Sequence, residues 1–152
     1  MKKLLIITIV LLAAAAVQVN AQTVSGSIAK GRVSKGRTAR GTVVLRIPKG
    51  LHVNSYKPDN KNLIPTRVTV TGSGVRAYGV TYPAGKKRKF SFSDKAISIY
   101  EGKVYFGFKV SVPRRYRKKT IRVKAKVRYQ ACTDEVCYAP KTKTVWITAR
   151  VR

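Results

Sequence analysis

Ile121-Arg122-Val123-Lys124-Ala125-Lys126-Val127-Arg128-Tyr129 alternates apolar and basic residues without a break. Successive side chains of a β-strand point to opposite faces. The segment therefore predicts a strand with its odd positions on a core and its even positions in water. A helix would spread the same residues around its whole circumference. Further strand-like runs at 42–47, 51–54, 67–71, 79–82, 97–100 and 104–112 run into turns with Pro, Gly, Asn or Asp, and 142–148 reads as the last strand. Beyond the N-terminal segment, no stretch of useful length has helical periodicity. Seven or eight short strands with turns about every ten residues predict an all-β antiparallel sandwich.

The N-terminus sets the compartment. Met1-Lys2-Lys3 is a basic start, residues 4–17 are apolar except for Thr8, and Val19-Asn20-Ala21 is a small-x-small cleavage signal. This pattern predicts a cleaved secretory signal peptide over 1–21 and a periplasmic or secreted chain beginning at Gln22. The apolar run is short for a membrane span of about 20 residues. No cysteine stands at the cleavage site, which argues against a lipoprotein anchor. The remaining 131 residues suit one domain with its own core. Residues 22–41, rich in Ser, Gly, Lys and Arg, read as a flexible basic leader or an edge strand, and 42–152 as the sandwich.

The formal charge of the whole chain is +28. Without Lys2 and Lys3, 31 basic side chains face 5 acidic ones, a net +26. Such a field favours polyanions, anionic membrane surfaces and acidic proteins without choosing among them. Arg122, Lys124, Lys126 and Arg128 form one basic strand face, and residues 86–89 and 114–119 form basic loops. These read first as a solubilising surface and second as steering for an acidic partner. A nucleic-acid role has no recognisable motif behind it and an exported address against it.

The only two cysteines lie in Tyr129-Gln-Ala-Cys132-Thr-Asp-Glu-Val-Cys137-Tyr138-Ala-Pro140. The strands before and after this segment predict a hairpin with the cysteines at or near its tip. Two cysteines and the sole histidine, His52, are one ligand short of a structural zinc site. A disulfide is permitted in an exported chain and fits the spacing. It is then either a staple or a redox centre. A short loop gives a staple little entropic leverage, and a hairpin tip is open to a partner thiolate. Tyr129 and Tyr138 flank the pair and could shield its sulfurs. Asp134 and Glu135 oppose the positive field that would favour a thiolate.

The segment 129–145 resembles the cysteine hairpin of the N-terminal periplasmic domain of the thiol:disulfide interchange protein DsbD family, with its Tyr-Gln-x-Cys start and Cys-Tyr-x-Pro end. Pro48 to Val70 is similar to the Gly-x-His strand and following loop of that family, and the likeness runs from about 42 to 148. It implies an immunoglobulin-like sandwich whose cysteine pair, on a β-hairpin, shuttles electrons without a bound cofactor. The implied partners are a membrane-embedded thiol reductase and periplasmic thioredoxin-like proteins. The implied redox residues are Cys132 and Cys137, with Cys137 forming mixed disulfides and Phe92 or else Phe90 capping the pair. Lys89 and Ser91 stand where family members often carry acids. Family proteins continue into membrane and thioredoxin-like domains, so a chain ending at Arg152 would meet its electron donor in trans, with only peripheral membrane contact.

His52 has no Ser/His/Asp constellation around it and reads as a partly buried structural residue. Asp59, Asp94 and Glu101 are too scattered for a paired-carboxylate hydrolase. The rival to the exchange module is a non-enzymatic β-sandwich that binds a polyanion or acidic protein and uses the disulfide as a staple.

Overall fold

The alternating segment becomes strand β10 (Thr120–Tyr129), and its odd residues are buried as the pattern predicts. The computed structural model describes residues 21–91 and 93–152; residues 1–20, which hold all but the last residue of the expected signal peptide, and Phe92 lie outside the described residues. β10 pairs antiparallel with β12 (Lys141–Val151), from Thr120 opposite Arg150 to Tyr129 opposite Lys141. On its other side it pairs with β5 (Arg67–Gly72). β2 (Arg32–Val33) adds to β12 in parallel and completes the first sheet, in the order β2-β12-β10-β5.

The second sheet is built on β3 (Thr38–Arg46) and β9 (Lys103–Ser111), which pair along their whole lengths. β1 (Thr23–Ile28) lies along β3 as one edge, and β6 (Arg76–Thr81) along β9 as the other. Thus residues 22–41 hold two strands and the start of a third. Gly41 faces Phe108 across the β3–β9 pair, and a Cβ there would overlap the phenyl ring.

The two sheets close over one core. Val43, Leu45, Phe106 and Val110 meet Ile121, Val123, Val127 and Ile147, each at most 3% exposed. Fully burying an aliphatic or phenyl side chain contributes about 1.5–3 kcal/mol. This alternation over four long strands therefore fixes both register and facing. The result is the antiparallel, immunoglobulin-like β-sandwich that the sequence predicts.

A third, smaller sheet takes in the strand-like runs at 51–54 and 97–100, which the sequence does not set apart from the main sandwich. It runs β11 (Ala131–Cys132), β4 (His52–Asn54), β8 (Ile97–Tyr100), β7 (Lys86–Arg88). β4 and β8 are buried at every position, so they show no period-2 signature. β7 lies within the segment that reads as a basic loop at 86–89. This sheet carries Cys132, and Cys137 is bridged to it.

Candidate functional site

The cysteine segment leaves the long β10–β12 ladder at Gln130 and joins the third sheet. Ala131 pairs with Val53, and Cys132 with His52. The segment then folds back on itself, with Cys132 and Cys137 paired as an antiparallel bridge. Their Cα atoms are 4.0 Å apart and their sulfurs are joined in a disulfide. The cysteines therefore do sit on a hairpin, but it is a miniature one that crosses from the first sheet to the third.

Local chemistry explains the tight turn. Thr133 donates its N–H to the Val136 carbonyl at 2.8 Å. Its Oγ1 accepts from the N–H groups of Glu135 and Val136 at 3.2 and 3.0 Å. A hydroxyl that bonds nearby backbone in this way stabilises a turn. Tyr138 closes the base by donating to the Ala131 carbonyl at 2.9 Å. Asp134 and Glu135 thereby occupy the exposed middle of the turn.

The two cysteines have unequal surroundings. Cys132 is fully buried. Cys137 is exposed, beside the exposed Val136 and Tyr138. Directly opposite residues of an antiparallel pair share a sheet face with Cβ atoms about 4.5–5.5 Å apart. Cys132 thus has His52 as its cross-strand neighbour. His52 is 2% exposed, and its Nδ1 has no hydrogen-bond partner among the described residues. Burial pushes the His52 pKa below its ordinary 6.5, and Arg88 adds to the shift, while Asp134 and Glu101 oppose it. The sequence reading of a partly buried structural histidine understates both its burial and its place beside Cys132.

Phe90 covers this histidine. The two rings stack at 4.6 Å with 27° between their planes. Phe90 itself is buried, with Ile97, Ile99 and Leu63 around it. The Arg88 guanidinium lies 5.1 Å from the Phe90 ring centre. Arg88 donates from Nη1 to Glu101 and from Nη2 to Asp134, each at 2.8 Å. Asp134 belongs to the turn between the cysteines. A closed circuit results: Cys132, His52, Phe90, Arg88, Asp134 and back through the turn. A third ion pair, Lys87 with Asp59, holds β7 to the loop after β4, and Asp59 also accepts from the Ser98 N–H at 3.0 Å.

Of the expected aromatics, Phe90 contacts the histidine opposite Cys132, and Phe92 lies outside the described residues. Tyr129 and Tyr138 stand on the other flank of the hairpin. Tyr129 is fully buried, with its hydroxyl 3.4 Å from Gln22 Oε1. Tyr138 is half exposed. Both line a cleft of about 340 Å³ with Leu51, Ala131, Ala139 and Lys141 among its walls. Sequence reasoning misses Arg88 and the role of Asp134. The only available signal was an acidic residue placed between two cysteines in a very basic chain.

The fold agrees with the comparisons. Residues 20–149 match the family described as "Thiol:disulfide interchange protein DsbD, N-terminal". The N-terminal periplasmic domain of ScsB from Proteus mirabilis superposes with a TM-score of 0.57 at 10% identity, over 84% of this chain and 46% of that one. This chain therefore spans about half the length of that structure. AggA, the major subunit of aggregative adherence fimbriae type I from Escherichia coli, gives a TM-score of 0.37 at 10% identity, over 88% and 97% of the two chains. No curated protein matches the chain. With most of its length covered by that one family and a cysteine pair bridged on its hairpin, the chain belongs to the family of the N-terminal domain of the thiol:disulfide interchange protein DsbD.

Proposed function

We propose that this chain is a periplasmic electron carrier whose Cys132–Cys137 pair alternates between disulfide and dithiol. The observation that carries this reading is the asymmetry of the pair: Cys137 is exposed and Cys132 is fully buried beside His52. A thiolate of a reduced partner attacks Sγ of Cys137. The Cys132–Cys137 bond breaks, a mixed disulfide forms on Cys137, and Cys132 leaves as a thiolate that takes up a proton. A second thiol of the partner then attacks the mixed disulfide and releases Cys137. The partner ends as a disulfide and this chain gains two electrons and two protons. The reverse sequence hands them to an oxidised acceptor. A membrane-embedded thiol reductase acting in trans fits the donor, and thioredoxin-like periplasmic proteins fit the acceptor. Phe90 acts as a cap at one remove, by holding His52 and Arg88 over the buried side of the pair.

Equilibration with glutathione redox buffers tests the reading. A potential above about −300 mV, within the exchanging range, is expected. A value well below it marks an inert staple and sinks the proposal. Single-cysteine variants test the assignment. Cys132→Ser should displace thionitrobenzoate from a thioredoxin-like protein that lacks its resolving cysteine and has been activated with Ellman's reagent, leaving a mixed disulfide, and Cys137→Ser should form little. The opposite order would move the exchanging role to Cys132.

A further inference from the structure

The chain's charge is segregated, and the outer face of the β2-β12-β10-β5 sheet holds none of its acids. All five acidic residues, Asp59, Asp94, Glu101, Asp134 and Glu135, lie in the third sheet, its loops or the cysteine turn. The ion pairs among the described residues, Lys87–Asp59, Arg88–Glu101 and Arg88–Asp134, are there too. On β10 the outward residues are Arg122, Lys124, Lys126 and Arg128. They form a cationic row of about 20 Å at 3.4 Å per residue. Arg150 of β12 extends it.

Trp146, the chain's only tryptophan, sits inside this row. It is opposite Lys124 on the neighbouring strand and 50% exposed. The Arg122 guanidinium lies 4.7 Å and the Lys124 ammonium 5.5 Å from its ring centre. Nothing in the sandwich core requires a tryptophan there, since the residue points outward. At the end of the row, Lys30, Arg32, Thr120, Thr148 and Arg150 line an open cleft of about 400 Å³. Its hydroxyls and cations suit a phosphate group.

We infer that this sheet face is a docking surface for an anionic lipid bilayer. Unpaired cations gain from the negative surface potential of such a bilayer. An amphipathic indole ring prefers the headgroup level, where one side is apolar and the other wet. Cations without the ring would serve any polyanion; the ring among them favours an interface. The cysteine segment leaves this sheet at Gln130 and joins another, so the disulfide lies beyond the end of the docked face and stays open to thiols.

The single tryptophan makes the test direct. With the disulfide intact, the purified protein should sediment with vesicles containing phosphatidylglycerol and not with pure phosphatidylcholine vesicles. Trp146 emission should shift to the blue on binding, and added salt should reverse both effects. Each surface cation is worth roughly fivefold in partitioning. The variant Arg122→Gln/Lys124→Gln/Lys126→Gln/Arg128→Gln should therefore lose on the order of several hundredfold. A control, Arg40→Gln/Arg46→Gln/Lys103→Gln/Lys109→Gln, removes four exposed cations from the opposite sheet. It lowers net charge equally and should lose about tenfold or less. Trp146→Ala, which keeps every charge, should weaken binding several-fold. Equal losses in both four-site variants would overturn the proposal. So would vesicle binding without an emission shift, or an equal shift with soluble polyphosphate, which would assign the face to polyanions in solution.

Discussion

Arg88 and Asp134 form an ion pair, Nη2 to Oδ2 at 2.8 Å, that ties strand β7 to the turn between the two cysteines. The two side chains are 41% and 61% exposed, and pairs this open to solvent contribute about 0.2–1 kcal/mol. Their importance is positional, because the turn they hold is the one the disulfide closes. Asp134→Asn should leave global stability nearly unchanged. It should also raise the reduction potential by on the order of 10–20 mV, since it frees the turn and leaves the Arg88 charge to favour a thiolate. A lowered potential would contradict this reading of the pair.

Phe90 is the main apolar support on the buried side of the hairpin. Phe90→Ala removes a phenyl ring from the small cluster with Ile97 and Ile99 and from its stack on His52. A loss of about 3 kcal/mol in urea unfolding is expected. Reduction by dithiothreitol should become several-fold faster as the hairpin loosens. Phe90→Leu should recover most of the stability, so the two readouts separate packing volume from the ring stack.

The pH dependence follows from His52. Its pKa is depressed in the folded chain, chiefly by burial and then by Arg88. The unfolded chain therefore takes up a proton first as pH falls through the ordinary value near 6.5. The contribution of neutral, buried His52 is fully present above that pH and is lost as pH drops towards the folded pKa. Thermal unfolding followed from about pH 8 to pH 5 should show Tm falling over the acidic half. His52→Gln should flatten that slope.

The disulfide closes a loop of sequence separation 5. In the chain-entropy account so short a loop is worth only about 2 kcal/mol. The two-layer core does not involve it. Reduction, or the Cys132→Ala/Cys137→Ala double variant, should leave far-UV circular dichroism unchanged and lower stability by about 2 kcal/mol or less. Unfolding on reduction would mark the bond as a structural staple.

The long strands were legible because each buries one face and wets the other. Residues 121–129 and 104–112 announce this by alternation, and the structure places their strands at Thr120–Tyr129 and Lys103–Ser111. The third sheet was legible only as separate strand-like runs at 51–54 and 97–100, not as a sheet of its own. His52–Asn54 and Ile97–Tyr100 are covered on both faces and carry no period, while Lys86–Arg88 reads as a charged loop. The site was half legible. The cysteines and their flanking residues carried the family resemblance, and Phe90 was within the expected capping segment. Arg88 was not named, because nothing local to Lys86-Lys87-Arg88-Lys89 distinguishes one cation from the next.

By itself, then, the sequence determined the all-β class, the long strands of the main sandwich and the identity of the cysteine pair. These rest on local periodicity and on residues adjacent in the chain. Only the tertiary structure decided that Cys132 is buried opposite His52 while Cys137 is exposed, and that Asp134 answers Arg88. Those relationships join β4, β7 and the cysteine turn, which are distant in sequence. They come together because the chain changes sheets at Gln130, where backbone pairing with β4 satisfies the hydrogen bonds of a segment that the long β10–β12 ladder leaves behind.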